Sequence, residues 1–548
     1  MKKAYGFTII ELLVVIVIIG ILAAITVVSY TGIAERAKIV SIKADLNSAS
    51  KLLSIYNVEN GYYPATVSSD CTASPTNATN LCIKTSAGSD FTSVPYIRTS
   101  EQSYVLTETN GNLTYDISEK TAPKPVVNVV ADTWGGASDE FVGYAVKTSD
   151  NGYILAGSTS SYGTGGDVII SKYNKFGHLS WSRTWGGSLY DMAFSIIQTN
   201  DGGYAVTGRT DSYAVASNGS DSFLLKYDST GNLIWNKTWG GNGVDVGKAV
   251  IQTSDNGYLV VGDAVFGTNG SVFIAKYDTD GNLLWNKIWD GNNGDHPTAA
   301  IQTSDGGYAV TGYSYSFGAG NGDLFLIKYD NLGNVSWNKT YGGAQSDGSL
   351  GLIQTSDSGY ALVGYTNSYG GVALDNVIFV KCDSGGTPTM TRTWGGTGSD
   401  IGNSIIRTSD SGYAIAGYQG SFGAGGNDAF IIKYDSGGAL SWSKTFGGTG
   451  SDFGYNIFQE ASGGYAMIGY SASYGAGGFD TFIVKADSSG AVAGCSSPMC
   501  QSPTPTTASP SPTVGTPAAS VSSPAATVTT PSATVSSPNL TTSIVIAP

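Results

Sequence analysis

TWGGSLYDMAFSIIQTNDGGYAVTGRTDSYAVASNGSDSFLLKYDSTGNLIWNKTWGG, residues 184–241, contains one complete copy of the unit that decides the fold. The copy opens with an aromatic residue and two glycines and continues with three apolar runs, SIIQT, YAVTG and SFLLKYD. A fourth run, LIWNKTW, closes it and opens the next copy. Short apolar runs bounded by Gly, Asn and Asp are the pattern of β-strands, so each copy predicts four strands.

The same features recur along most of the chain, at intervals of 50 to 54 residues. Four short strands per period are typical of propeller blades, because one such sheet buries its two faces only when neighbours pack on it. We therefore expect an all-β, seven-bladed propeller of four-stranded blades over residues 128–494, which resembles kelch and WD-like repeats. A linear β-solenoid is the alternative and would need capping units. The copies are marked by Trp134, Trp185, Trp239, Trp289, Tyr341, Trp394 and Phe446.

The two ends of the repeat region complement each other. VVNVVADTWGG at 126–136 has the place of a fourth strand, whereas the last copy ends in FIVKADSSGAVAG without one. The N-terminal strand is therefore predicted to complete the final blade and to remove an exposed strand edge.

Two charged residues occupy the same place in every copy. Seven like charges facing one channel would repel each other, so we expect these side chains to satisfy polar groups within blades or between them. The paired tryptophans, such as Trp181 and Trp185, are expected to pack between blades. The charged residues are Asp139, Asp191, Asp245, Asp295, Asp347, Asp400 and Asp452, and Lys172, Lys226, Lys276, Lys328, Lys381, Lys433 and Lys485.

Composition supports a turn-rich β protein and excludes some partners. Of 548 residues, 75 are glycine and only 13% are charged, which favours strands and turns over helices. The net charge of −14 disfavours a broad electrostatic surface for phosphate backbones, so no nucleic-acid partner is expected.

The first thirty residues are of a different kind. Lys2 and Lys3 precede an apolar run from Phe7 to Val28, long enough to cross a bilayer as a helix over residues 7–30. A removable secretory signal is the alternative, with a shorter apolar core and a cleavage site after it. Glu11 lies inside the run, where a carboxylate needs a compensating cation.

The leader, Gly6 and the segment Phe7-Thr8-Ile9-Ile10-Glu11 resemble the signal of type IV pilins and type II secretion pseudopilins. The resemblance implies that residues 1–6 are a leader peptide, removed by a prepilin peptidase between Gly6 and Phe7, with N-methylation of Phe7. It also implies that Glu11 pairs with the N-terminal amine of a neighbouring subunit during assembly.

Residues 31–120 predict a pilin-like headpiece. Ile39, Ile42, Leu46, Ala49, Leu53 and Tyr56 recur at helical spacing, and the helix should end at Asn60-Gly61, in a motif, NGYYP, that also resembles pseudopilins. Two runs, 104–109 and 112–117, flank Asn110-Gly111 and predict a hairpin in a small antiparallel sheet. Residues 121–127, with Pro123 and Pro125, are interpreted as a stiff linker.

The five cysteines match no zinc or redox spacing. In an oxidising compartment Cys71 and Cys82 would close a small loop, with two free thiols as the alternative, and Cys495 and Cys500 are close enough to pair. Cys382 is then the spare thiol.

Signals for catalysis and metal binding are weak. His178 and His296 lie in different copies without a nucleophile motif, and both are interpreted as turn residues. Asp278 to Asn282 begins like a calcium loop but lacks the later glutamate, so a hairpin turn is favoured. TSDGGY has some likeness to the Asp-box of sialidases, but Arg183, Arg209, Arg392 and Arg407 are too scattered for such a site. We expect no enzyme activity, cofactor or metal.

Residues 495–548 are interpreted as a disordered tail. From residue 501 onward they contain no charged or aromatic residue and cannot build a core. Their Ser, Thr and Pro content suits O-glycosylation, with an inert tail as the alternative.

Together these features predict a single-pass membrane protein with exported domains, at the cell surface or in a pilus or pseudopilus. The expected function is a minor type IV pilin or pseudopilin-like subunit that displays the propeller for adhesion or recognition at the surface or a filament tip. A membrane-anchored surface hydrolase or sensor is the alternative. The implied partners are other pilin subunits, the prepilin peptidase, the inner-membrane assembly platform and an unknown extracellular ligand.

Overall fold

The computed structural model describes part of the N-terminal region and most of the remaining chain. The described residues are 40–41, 43–57, 59, 64, 66–68, 80–83, 89–90, 97–100, 103–110, 113–118, 121–125, 131–135, most of 140–492, and seven short segments between 500 and 545. Gaps within 140–492 fall at 162–164, 175–178, 217–218, 266–269, 370–373, 424 and 474–478. The chain divides into two compact units, Met1–Val127 and Asn128–Pro548.

The N-terminal unit contains a helix between residues 40 and 59. Leu46, Ala49, Leu53 and Tyr56 are buried on it, which confirms that part of the predicted stripe. Ile39, Ile42, the helix end at 60–61 and the predicted membrane span at 7–30 lie outside the described residues. In the described helical residues no stretch has both the length and the apolar character to cross a bilayer.

A small sheet follows the helix, and its central hairpin confirms the prediction. Asn110 pairs with Leu113, so the first strand ends and the second begins one position later than expected. The linker prediction was wrong for Thr121–Pro125, which pairs with the neighbouring strand; prolines are tolerated there because it lies at the edge. Its strands are β3 (Ser89–Asp90), β4 (Ile97–Ser100), β5 (Ser103–Asn110), β6 (Leu113–Ser118) and β7 (Thr121–Pro125), while β1 (Thr66–Ser68) and β2 (Asn80–Cys82) form a separate parallel pair.

The second unit begins with β8 (Ala131–Gly135) and continues as four-stranded antiparallel sheets. Blades 1 to 3 consist of β9 (Glu140–Lys147), β10 (Tyr153–Thr159), β11 (Asp167–Tyr173), β12 (Leu179–Gly186); β13 (Asp191–Gln198), β14 (Tyr204–Thr210), β15 (Asp221–Tyr227), β16 (Leu233–Gly240); β17 (Val246–Gln252), β18 (Tyr258–Ala264), β19 (Ser271–Tyr277) and β20 (Leu283–Asp290).

Blades 4 to 7 repeat this arrangement. They consist of β21 (Asp295–Gln302), β22 (Tyr308–Ser314), β23 (Asp323–Tyr329), β24 (Val335–Gly342); β25 (Asp347–Gln354), β26 (Tyr360–Thr366), β27 (Asn376–Cys382), β28 (Pro388–Gly395); β29 (Asp400–Arg407), β30 (Tyr413–Gln419), β31 (Asp428–Tyr434), β32 (Leu440–Phe446); β33 (Asp452–Gln459), β34 (Tyr465–Ser471) and β35 (Asp480–Ala486).

The ring is closed. β8 lies alongside β35, the place of the missing fourth strand of blade 7. Ala466, Ile468 and Ile483 of blade 7 pack in one cluster with Leu155 and Ile169 of blade 1. The seven-bladed propeller is therefore confirmed and the linear solenoid is excluded.

The hydrophobic core lies between adjacent blades. Trp185 of blade 1 is fully buried, with its ring centroid 4.9 Å from that of Phe223 in blade 2. Trp239 stacks on Phe273 of the next blade at 4.1 Å in the same way. The tryptophans therefore pack between blades, as predicted, because each sheet buries its faces only against its neighbours.

Seven short segments of the tail form strands, so the prediction of a disordered tail was wrong for these segments. Each tail strand pairs antiparallel with the outermost strand of one blade. The outer strand offers unpaired backbone groups, so a segment that cannot form a core by itself can still form a strand there. The strands are β36 (Cys500–Gln501), β37 (Thr506–Ala508), β38 (Thr513–Gly515), β39 (Ser520–Ser522), β40 (Thr527–Thr529), β41 (Thr534–Ser536) and β42 (Thr541–Val545).

Candidate recognition site in the propeller channel

The innermost strand of each blade carries a β-bulge. In blade 2, Ala193 pairs with Gly208 and Ser195 with Thr207, which leaves Phe194 outside the ladder. A bulge adds one unpaired residue and turns its side chain away from the regular pleat. Gly143, Lys248, Thr298, Leu350, Asn403 and Tyr455 occupy the corresponding place in the other blades.

These seven bulge residues meet in the centre of the ring. All of them line one cavity of about 460 Å³, which we call the channel cavity. The seven are of seven different types, whereas the second strand of every blade begins with tyrosine. Variation between the copies is therefore present where the side chains face a shared space, and the repeated positions build the scaffold.

One side of the channel cavity is polar. His296 Nδ1 lies 3.1 Å from Asp263 Oδ1, and Lys248 Nζ lies 3.5 Å from Asp263 Oδ2. Lys248 Nζ is also 4.4 Å from the ring centroid of Phe194, within cation–π range. Burial, with the charge of Asp263, raises the pKa of Tyr313 to about 12, so this phenol stays a neutral donor near neutral pH.

The far side of the ring is aromatic. The hydroxyls of Tyr455 and Tyr470 lie 2.8 Å apart and their rings stack at 5.1 Å. Tyr418 meets Phe453 at 4.7 Å in an edge-to-face contact. Burial raises the pKa of Tyr144, whose ring lies between Phe194 and Tyr455, to about 12. Of these rings, those of Tyr144, Phe194 and Tyr455 line the channel cavity.

The repeated lysines have a structural role, as hypothesised. Lys226 Nζ lies 2.9 Å from Asp201 Oδ2 and donates to the carbonyl oxygen of Tyr227 at 2.9 Å. The same ion pair recurs in six blades. In blade 7, Lys485 instead lies 5.3 Å from the ring of Tyr153 in blade 1.

The repeated aspartates also bind within their own blades. Asp191 is fully buried and accepts hydrogen bonds from Ser212 Oγ at 2.8 Å and from the Gly187 amide at 3.0 Å. In blade 1 the equivalent residue is Glu140, because Glu140 pairs with Thr159 as Asp191 pairs with Thr210. The assignment of Asp139 to this series was therefore wrong by one residue.

His296 is not a turn residue, contrary to the prediction. It lies in β21 and lines the channel cavity, while His178 lies outside the described residues. Asp278 does form the predicted hairpin turn, since its Oδ1 accepts the amide hydrogens of Asp280 and Asn282.

The bulge residues were missed in the sequence, although a signal was present. When the seven copies are aligned, the bulge position contains a different residue in each, whereas the first residue of the second strand is always tyrosine. That contrast indicates a position under no common packing constraint.

Several predicted site residues cannot be placed. Gly6, Phe7, Glu11, Cys71 and Cys495 lie outside the described residues, as do the side chains of Cys82 and Cys500. Cleavage, assembly and both disulfides therefore stay predictions. The spare thiol is confirmed, because Cys382 is a free, buried cysteine.

Comparison with known proteins relates the N-terminal region to pilins. Residues 1–27 match the family described as the prokaryotic N-terminal methylation motif. The type IV wide pilus major component PilA4 of Thermus thermophilus is 38% identical over 93 residues, which are 16% of this chain and 71% of that protein. The type II secretion system core protein G of Pseudomonas aeruginosa is 41% identical over 65 residues, 12% of this chain and 46% of that protein. The chain thus spans less than half the length of this secretion relative.

Among solved structures, Sqt1 from Chaetomium thermophilum aligns with a TM-score of 0.38 and 10% identity, over 66% of this chain and 98% of that one. This similarity is too low to support an argument, so the propeller assignment depends on the strand pairings described above. The N-terminal match to PilA4 is much closer, and it shows that the chain belongs to the type IV pilin family. The chain carries a seven-bladed propeller in addition.

Proposed function

We propose that this protein is a minor pilin or pseudopilin-like subunit that displays its propeller as a recognition head at the cell surface or a filament tip. The observation that carries the proposal is the channel cavity, in which the bulge residues of the seven copies, all of different types, converge. Binding functions reside in variable positions held by a rigid scaffold.

The chemistry of the cavity favours a sugar-like ligand with hydroxyl groups. Tyr455 and Phe194 offer ring faces for the apolar face of a sugar, while Lys248 and His296, which line the cavity and both lie against Asp263, offer polar groups for hydroxyls. A cavity of about 460 Å³ is within the usual range for small-ligand sites and suits the end of a glycan chain.

The size of the head favours a low-copy position. Four strands about 4.8 Å apart on each side of a channel make a disc ~45 Å across, which would crowd every position along a filament shaft. Immunogold labelling should therefore be confined to tips or sparse positions, and uniform labelling would count against this location.

The N-terminal family supplies the proposed assembly route. The prepilin peptidase would cut between Gly6 and Phe7, Phe7 would be N-methylated, and Glu11 would pair with the amine of a neighbouring pilin subunit. The inner-membrane assembly platform is the remaining proposed partner.

A surface hydrolase is the competing proposal, and one observation favours it. His296 and Asp263 form a pair that could orient a catalytic histidine. However, His296 Nε2 lies close to Gly294, because a Cβ added to that glycine would lie 2.9 Å from it. A binding role without catalysis suits this geometry better, since glycine has no side chain that the ring nitrogen could activate as a nucleophile.

Binding to a glycan panel tests the function directly. The full chain, purified in detergent, is immobilised and probed with terminal-sugar variants, and the affinity of the best ligand is measured by calorimetry. We expect Lys248→Ala and Tyr455→Ala each to weaken binding at least about tenfold, which is ~1.4 kcal/mol. Asp280→Asn, at an exposed turn, is the control and should bind normally. A panel without a ligand, or channel variants that bind like wild type, would contradict the proposal.

A further inference from the structure

The seven tail strands follow the ring of blades in reverse order. β36 pairs with β32 of blade 6, and the next strands pair with blades 5, 4, 3, 2 and 1 in turn. The last strand, β42, pairs with β8 in blade 7. Among the described residues, each blade thus receives one tail strand on its outer edge.

The register is the same at every blade. Val535 stands opposite Trp185, Val528 opposite Trp239, and Val521 opposite Trp289. Val514, Thr507, Cys500 and Thr542 stand opposite the aromatic residues Tyr341, Trp394, Phe446 and Trp134 that mark the other copies. A tail without preferred pairing would not select one register seven times, because nothing would fix it.

The tail sequence has the period that this arrangement needs. Ser-Pro or Thr-Pro recurs every seven residues, with the prolines at 503, 510, 517, 524, 531 and 538. Proline cannot donate to a ladder and keeps the preceding residue extended, so it ends each strand without folding the chain back. Thr and Val, which favour strands, hold most of the paired positions between prolines.

Seven residues also fit the geometry of the rim. A disc ~45 Å across has a circumference of ~140 Å, or about 20 Å per blade. Seven extended residues reach at most about 23–25 Å, so one heptad spans one blade with little slack.

The final contact is the longest. β42 pairs over five residues, from Thr541 opposite Gly135 to Val545 opposite Ala131, whereas the preceding strands pair over two or three. The chain enters the propeller through β8, so a pull on the N-terminal unit acts first on this strand.

We propose that residues 500–545 form a belt that covers the outer edge of every blade and locks β8, the strand that closes the ring. The belt goes beyond the proposed recognition function, and its existence does not depend on that function. Only the inference that the belt resists a pull on the N-terminal unit rests on the proposed anchoring at the cell surface. Covered edges would also protect the propeller from pairing with other chains.

Hydrogen exchange of the full chain tests the belt. We expect amides of the tail strands to exchange at least about tenfold more slowly than an unstructured peptide of the same sequence. Deletion of one heptad, residues 520–526, shifts the following strands by one blade and leaves β8 uncovered. Exchange of residues 131–135 should then accelerate at least about tenfold.

The matched control keeps the length and replaces the heptad SVSSPAA with TVTTPSA, the sequence of residues 527–533. It should leave exchange at 131–135 unchanged. Tail amides that exchange at unstructured rates, or a deletion without effect on β8, would overturn the belt. Tail protection lost on dilution would also overturn it, because the strand would then come from a second copy.

Discussion

Lys147 Nζ lies 2.7 Å from Glu460 Oε2, across the junction between the first and the last blade. At five of the other six junctions the same places hold glutamine and threonine, with Arg407 in place of the glutamine between blades 5 and 6, and each glutamine accepts a backbone amide of the neighbouring blade. Gln252 Oε1, for instance, accepts the Asn200 amide at 2.7 Å. The closing junction therefore replaces a neutral hydrogen bond with an ion pair, to which the Tyr153 hydroxyl also donates.

Replacing both Lys147 and Glu460 with the residues of the other junctions should be tolerated, whereas replacing only one of them should not. Lys147→Gln or Glu460→Thr alone should lower the free energy of unfolding by about 1 kcal/mol, because one polar group loses its partner. The double variant should return close to wild type in urea unfolding. Additive losses in the double variant would show that the two residues do not act as a pair.

The same pair should make stability depend on acid pH. Burial raises the pKa of Glu460, but hydrogen bonds from Lys147 and Tyr153 outweigh it and hold this pKa below the ordinary 4.5. A lowered pKa in the folded state gives stability that is present above about pH 4.5 and is lost as the pH falls through the folded pKa. Wild type should therefore lose more stability than the double variant below that pH.

The repeated lysine–aspartate pairs should depend on the lysine. In blade 4 the side chain of Lys328 is 9% exposed and that of Asp305 63%. Lys328→Met should cost about 1–3 kcal/mol, because the buried carbonyl oxygen of Tyr329 loses its donor. Asp305→Asn should cost less than about 1 kcal/mol, since its oxygen is solvated and can still accept. Equal costs for the two variants in urea unfolding would contradict this account.

A difference between blades 3 and 4 predicts that one substitution compensates for the destabilisation caused by another. In blade 4 the buried Asp323 carboxylate lies against the Cα of Gly342, and an added Cβ would overlap with it. Blade 3 has Ser271 and Asp290 at these places, with Ser271 Oγ donating to Asp290 at 2.8 Å. Gly342→Asp alone should therefore cost at least about 3 kcal/mol, through overlap and two buried carboxylates.

Adding Asp323→Ser should recover most of that loss in thermal unfolding, because it recreates the blade 3 arrangement. Asp323→Ser alone is the control and should be tolerated. A double variant no more stable than Gly342→Asp would show that the exchange between blades is not a compensation.

Asp323 itself predicts a pH effect of opposite sign. Burial raises its pKa to about 6, and the nearby Asp347 adds to the shift. A raised pKa means that stability is highest when the group is protonated and falls as the pH rises from about 4 through about 6. Asp323→Asn, which imitates Asn376 of blade 5, should gain about 1–3 kcal/mol over wild type at pH 7.5 and little at pH 4. Chemical unfolding at both pH values checks this, and an equal difference at the two would contradict it.

The propeller could be predicted because the residues that repeat along the sequence are the ones that pack in the core. Trp185 and Tyr204 recur at fixed places since every blade must bury the same faces, and this gave blade number, strand order and ring closure. Phe194 and Lys248 could not be placed, because a bulge depends on the register between two strands. The same lack of register led to the choice of Asp139 instead of Glu140.

The prediction for the tail failed for a different reason. Its composition cannot form a core, but a segment without a core can still pair with an existing edge. The prolines from 503 to 538 at intervals of seven were visible, and their meaning depended on the spacing of the blades. Thr121–Pro125 was misread in the same way, as its prolines suit a sheet edge as well as a linker.

Mass spectrometry of the mature N-terminus tests the central claim, that this is a pilin-type subunit that carries a recognition head out of the cell. We predict a chain that begins at Phe7 and carries one methyl group on its amine. A protein that still begins at Met1, or one cut beyond the apolar run near residue 30, would contradict the account.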